Sequence, residues 1–188
     1  MDIRIVGQCI GIVAMIFNIL SYQQKKQFTL IMCQLFGSSL FAVSFFMLNS
    51  PVGALLNALA AVRAVLFICE EKVKARHPLW LGVFVAIYIA FYVMAFTVFG
   101  VEPKWYNFLV ELLPIIGMTA LSIGFMKGSS KDMRRVAFVS CPCWLCYNIY
   151  SGSIGAIMCE VFCFTSTIIG VVRHDIKREK EERKSTVE

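Results

Sequence analysis

Apolar residues in this chain fall into seven runs, at 5–22, 28–48, 51–69, 79–100, 105–126, 136–150 and 154–172, separated by short polar stretches. Within a run the apolar positions are nearly continuous. They do not alternate at period two, which argues against the strands of a membrane barrel. Crossing the hydrocarbon core of a bilayer takes about 20 residues of helix, with a working range of about 17–25. Six runs have that length, while 136–150 needs its flanking residues or a locally thinned bilayer to span. Lipid offers no partners to backbone polar groups, so runs of this kind predict transmembrane helices. The expected fold is an all-α integral membrane protein of seven transmembrane helices.

The polar stretches between the runs set the orientation. Fifteen of the 18 Lys and Arg residues occur in alternate connections: Lys25–Lys26; Lys72, Lys74 and Arg76; Lys127, Lys131, Arg134 and Arg135; and the tail from Arg173 to Lys184. The other connections hold only Arg4 and Lys104, and Arg63 falls inside the third run. Basic residues in short loops stay on the cytoplasmic side, so the N-terminus is expected outside and the C-terminus in the cytoplasm. The first run is read as a helix and not as a signal peptide. Its positive region is Arg4 alone, offset by Asp2, with no small-x-small cleavage site before Gln23–Lys26.

Composition agrees with the pattern. Of 188 residues 59% are hydrophobic and 16% charged, with a mean hydropathy of +0.73. Soluble domains have about 45–50% apolar and about 25% charged residues. Seven helices leave no length for a separate soluble domain. The net charge of +6 lies on the cytoplasmic connections, where it meets anionic lipid; nucleic acid is not an expected partner. A homo-oligomer is compatible with everything above.

The layout repeats. Residues 1–69 and 105–172 each contain helix, basic loop, helix, short outer turn and helix; 70–104 holds a cytoplasmic loop and a linker helix at 79–100, and 173–188 is a charged tail. A shift of 102 places Gly53-Ala54 on Gly155-Ala156, whereas 103 places Gln8 on Glu111, Ser50 on Ser153 and Asn57 on Glu160. A single linker helix gives the two triplets the same orientation, a 3+1+3 parallel repeat with a site expected near the midplane between them.

Several segments carry a resemblance: Val110-Glu111-Leu112-Leu113-Pro114 with Ile116-Gly117, Cys143-Trp144, Asn148, Gly152-Ser153-Ile154-Gly155 and Glu160, together with Leu56-Asn57-Ala58 and Arg63. Over residues 5 to 175 the chain resembles the YgjV-like family of bacterial inner-membrane proteins, which is grouped with the SWEET, semiSWEET and PQ-loop transporters. The resemblance implies a multi-pass protein of the bacterial inner membrane with a SWEET-like 3+1+3 fold. It also implies substrate contact by an Asn on the third helix of each triplet. Asn57 matches that position, but the second triplet has Cys159-Glu160; Tyr22-Gln23 stands where PQ-loop proteins have Pro-Gln, and prolines occur in helices five and six (Pro114, Pro142) but not in one and two. These departures weigh against a sugar substrate.

Ionisable groups inside a bilayer are costly and mark functional candidates. Asn57, Glu111 and Glu160 each fall about six residues below the outer end of their run, or ~9 Å. They form the expected substrate site, with a carboxylate available for proton coupling. The structural alternative for Glu111 is a place at a helix start, where its charge suits the dipole. Arg63 lies deeper and is read as an intramembrane ion-pair member or a snorkelling residue. Gln34, Ser38 and Ser39 are read as helix-packing residues. Cys141, Cys143 and Cys146 offer a weak soft-metal alternative, disfavoured because His77 and His174 both lie outside the runs. No cofactor is expected, and no enzyme motif occurs. The functional expectation is a secondary carrier or facilitator for a small polar solute; the alternative is a scaffold, sensor or assembly factor on the same fold.

Overall fold

The computed structural model describes residues 2–23, 27–127 and 130–172. The sequence-based expectations for Lys25–Lys26 and for the charged tail 173–188 fall outside the described residues. Eight helices follow in order: α1 (Ile3–Gln23), α2 (Gln27–Met47), α3 (Pro51–Ile68), the one-turn α4 (Glu70–Val73), α5 (Pro78–Thr97), α6 (Trp105–Lys127), α7 (Ser130–Ser151) and α8 (Ile154–Gly170). Four of them are long and apolar enough to cross a membrane, and Ile31–Met47 and Ile154–Gly170 are shorter apolar helices.

Local chemistry sets the ends. Pro51 and Pro78 occupy the first turns of α3 and α5, where a missing N–H costs nothing. His77 caps α5 by accepting the Leu79 N–H. The largest departure from the sequence reading is α7, which starts at Ser130 and not at 136, so Arg134 and Arg135 are helical and not in a loop. Asp132 in its first turn suits the helix dipole and pairs with Arg135 at 3.7 Å. The added residues give α7 about 33 Å of length.

The packing is inverted relative to a water-soluble protein. Ile12, Ile16, Phe46, Val62, Ile89, Leu109, Ile149 and Phe162 are exposed, while Ser21, Ser44, Arg63, Asn107, Glu111, Ser122, Ser140, Asn148 and Ser153 are buried. Apolar surface of this extent is stable only against lipid or a partner, and polar groups turned inward are what lipid exposure demands.

The long helices lie along one closed path. α1 packs on α2, α2 on α3, α3 on α6, α6 on α7, α7 on α8 and α8 back on α1, while α5 leans on α3 and α6. The N-terminus and the turns 48–50 and 151–153 share one end of the bundle, here the turn end; α4 and the start of α7 lie at the opposite, basic end. The interior of the turn-end half is filled by Phe45, Val52, Leu56, Trp144 and Tyr147. Phe45 and Trp144 each bring their rings about 6 Å from that of Tyr147.

The two outer turns have the same backbone. Ser50 N–H donates to Phe45 C=O at 2.9 Å and Ser153 N–H to Asn148 C=O at 3.1 Å; Asn49 N–H donates to Phe46 C=O at 3.1 Å and Gly152 N–H to Ile149 C=O at 3.2 Å. Ala54 N–H to Ser50 C=O and Ile157 N–H to Ser153 C=O close the set at 3.1 and 2.9 Å. Asn49 and Gly152 both have positive φ, 60° and 66°, a conformation open mainly to Gly and Asn. Every one of these pairs is offset by 103 residues. The turns thus match at the shift of 103, which places Gly53 on Ala156, and not at 102. Gly155 has its own task, because a Cβ there would stand 2.3 Å from the Gly11 carbonyl carbon. α8 and α1 touch backbone to backbone.

Candidate functional site

Along α6 the buried residues Asn107, Glu111, Pro114, Ile115, Met118 and Ser122 recur at helical spacing and form one inward stripe. Its polar members define two places in the bundle, one near each end. A third polar cluster lies between α7 and α8.

The turn-end place is built around Glu111, which is 4% exposed and whose Oε2 has no hydrogen-bond partner. The phenols of Tyr147 and Tyr150, on α7, lie within electrostatic reach of the carboxylate. Tyr147 accepts the Gly53 N–H at 2.8 Å, and the Gly53 carbonyl accepts Asn57 Nδ2 at 2.9 Å. Tyr147 and Asn57 are thus joined through Gly53, with Glu111 within electrostatic reach of Tyr147. Above them Tyr150 donates to Asn107 Oδ1 at 3.1 Å, and Asn107 Nδ2 donates to the Glu102 carbonyl at 2.9 Å. At the mouth, outside the helices, Glu102 pairs with Lys104, which holds its carboxyl below the usual range.

In the register of 103 that the repeat reading offers, Glu111 falls on Gln8. Its counterpart Gln8 sits on α1 against the start of α8: Gln8 Nε2 donates to Gly152 C=O at 2.6 Å, and Ile154 N–H donates to Gln8 Oε1 at 2.9 Å. In the other half Ile154 corresponds to Pro51, which has no N–H to give. A carboxylate likewise has no N–H for the Asn49 carbonyl. Both bonds of the Gln8 joint are chemically unavailable to Glu111. Two further buried oxygens, Asn148 Oδ1 and Ser153 Oγ, also lack partners. Burying an unpaired carboxylate costs several kcal/mol unless a proton or a cation meets it.

Glu160 is half-buried and has different neighbours. The Cys141 thiol hydrogen-bonds to its carboxylate, Cys163 lies close by, and Cys159 is hydrogen-bonded with Cys163 one turn along α8. Among the described residues no group of three or more His, Cys, Asp or Glu is arranged to hold a metal ion. Cys143 is half-buried and Cys146 exposed. The contacts found for Glu160 are thus to cysteines, whereas Asn57 bonds Gly53 beside Tyr147.

Toward the basic end, Arg63 of α3 is 7% exposed. Its Nη1 donates to Ser122 Oγ at 3.0 Å, and its guanidinium lies 4.7 Å over the Phe125 ring. Tyr88 of α5 bonds the same Ser122 hydroxyl at 3.0 Å, so this cluster ties α5 to α3 and α6. Ser39 bonds back to Leu35 in its own helix. An open cleft of about 470 Å³ at the basic end is lined by Phe28, Ile31, Phe67, Ile68, Cys69, Glu70 and Lys72.

Sequence reasoning named Glu111 and Asn57 but not Asn107, Tyr147 or Tyr150. Asn107 was legible in principle, since it lies one helical turn before Glu111 on the same face. Tyr147 and Tyr150 carry no local signal, because aromatic residues in a membrane helix are ordinary.

The comparisons with known proteins agree with a place in the membrane. A family model described as a bacterial inner membrane protein, Imp-YgjV, matches residues 5–178. The inner membrane protein YgjV of Escherichia coli (strain K12) is 27% identical over 163 residues, covering 82% of this chain and 76% of that protein. No solved structure matches the chain. With a model spanning nearly its whole length, the chain belongs to the Imp-YgjV family of bacterial inner membrane proteins.

Proposed function

We propose that the chain is a secondary carrier or facilitator for a small polar solute, and not an enzyme. In this reading it crosses the membrane seven times in a SWEET-like 3+1+3 arrangement, with the turn end outside and the basic end cytoplasmic. α1–α3 and α6–α8 are the two repeats, rocking against each other at the α1–α8 and α3–α6 joints. The observation that carries it is the shared turn geometry at an offset of 103, together with the closed order of packing. Under a two-fold relation the α1–α8 joint maps onto the α6–α3 joint. The solute site takes Glu111 and Asn57, with Glu160 as Asn57's counterpart in the second repeat.

The test is uptake into proteoliposomes, screening labelled sugars, amino acids, organic acids and amines. A solute taken up by the wild type and lost in Asn57→Ala and Glu160→Gln supports the carrier and the site. Uptake indifferent to both variants keeps the carrier and removes the site. No uptake of any solute overturns the proposal in favour of a scaffold. One observation favours that second reading: a Cβ at Gly53 would meet Tyr147 and Phe45 at 2.9–3.1 Å, so this joint is closely packed.

A further inference from the structure

We propose that Glu111, with Tyr147 and Tyr150, forms a binding site for a small organic ammonium ion. This deepens the carrier reading and rests on it only for the consequence of binding, not for the site itself.

The argument starts from which atoms lack partners. Among the described residues the buried side-chain polar atoms without a hydrogen bond are Glu111 Oε2, Asn148 Oδ1 and Ser153 Oγ, all of them oxygens. Carboxylate and amide oxygens only accept, so Glu111 Oε2 and Asn148 Oδ1 need donors, while the Ser153 hydroxyl can serve in either role. The pseudo-symmetric joint shows that this is not a general property of the fold, since Gln8 spends both of its amide atoms on the backbone of α8. At Glu111 the corresponding donor is removed by Pro51.

The surroundings select the kind of donor. A neutral polyol would satisfy Glu111 Oε2 and leave the charge unbalanced in a low-dielectric interior. An ammonium ion supplies N–H donors and the opposite charge together. The aromatic groups within electrostatic reach of Glu111 are the phenols of Tyr147 and Tyr150, and phenol rings attract cations. Among the described residues no group of three or more His, Cys, Asp or Glu is arranged to hold a metal ion. Glu111 lies six residues from the start of α6, about 9 Å along the axis. Tyr150, half exposed, also interacts with Glu102 and Lys104. The titratable groups facing the site are Tyr147 and Tyr150 of α7, with Glu102, Lys104 and Tyr106 interacting with Tyr150 from above.

The experiment is thermal unfolding of the full-length protein in detergent, with methylammonium chloride against sodium chloride at equal ionic strength and against glucose. Methylammonium at about tenfold over its Kd is expected to raise the wild-type Tm by about 3–6 °C, with no shift from the other two. Glu111→Gln is expected to abolish the shift and Ser39→Ala, bonded only within its own helix, to keep it. Should Glu111→Gln not fold, Tyr150→Leu at the half-exposed wall serves, with an expected weakening of about 2- to 30-fold. An equal shift in wild type and Glu111→Gln, a shift from glucose alone, or no shift from methylammonium overturns the proposal. If that last result comes with a pH-dependent stability that Glu111→Gln removes, the proton is the cation that Glu111 takes. A shift without uptake of methylammonium into proteoliposomes keeps the site and defeats the carrier. Uptake of a neutral solute unaffected by Glu111→Gln keeps the carrier and defeats the ammonium site.

Discussion

Gly155→Ala tests the closure of the bundle with a single methyl group. The added carbon would stand 2.3 Å from Gly11 C, 2.5 Å from Gly11 O and 2.6 Å from Ile12 N. All three are backbone atoms, so no side-chain rotation can relieve the overlap. Ordinary contact begins near 3.4 Å, and α1 and α8 must therefore part by about 1.1 Å. Overpacking of this kind costs about 1–3 kcal/mol. Parting the helices also stretches the two Gln8 bonds to Gly152 and Ile154, each worth about 0.5–1.5 kcal/mol. The combined loss is about 2–6 kcal/mol, and at about 2–4 °C per kcal/mol the Tm should fall by at least about 4 °C. The assay is thermal unfolding of the purified protein in detergent, with Gly82→Ala alongside. Gly82 has nothing within 4 Å of a built Cβ and lies inside α5, so that variant should gain about 0.5–1 kcal/mol from lost chain entropy. A Gly155→Ala protein as stable as the wild type would refute the backbone contact between α1 and α8, and with it the closed order of helices.

Four further outcomes follow from particular bonds. Tyr147→Phe removes the acceptor of the buried Gly53 N–H and should cost about 1–3 kcal/mol by the same assay, although the ring remains. Gln8→Glu recreates at α8 the situation of Glu111, losing the donor to Gly152 C=O, and should also cost about 1–3 kcal/mol; an unchanged Tm would deny the correspondence of the two joints. Ser122→Ala takes the shared partner from Arg63 and Tyr88 and should lower stability by about 1–3 kcal/mol. Ser39→Ala, exposed and bonded only within its own helix, should stay within about 0.5 kcal/mol.

The comparison of sequence with structure is clearest at residues where they part. The spacing of charges marked seven helical runs, yet α7 extends back over Arg134 and Arg135 because charged residues are good helix formers and Asp132 suits its first turn. The repeat was visible as a layout, but its register was not, since only a few residues match at either shift. Backbone hydrogen bonds and the positive φ values of Asn49 and Gly152 match at an offset of 103 around the turns.

By itself the sequence determined that this is a helical membrane protein, since burying backbone polar groups in lipid leaves few alternatives to long apolar helices. It also singled out Glu111, Asn57, Glu160 and Arg63, because polar groups are conspicuous where apolar ones are required. Only the tertiary structure decided their company. Asn57 bonds Gly53 beside Tyr147, Glu111 lies within electrostatic reach of Tyr147, Glu160 lies among cysteines, and Arg63 reaches Ser122 beside Tyr88. The physical reason is that hydropathy along one helix constrains depth but not azimuth. Which side chains converge depends on how the helices rotate and pack, and here that depends on contacts as local as Gly155 against Gly11.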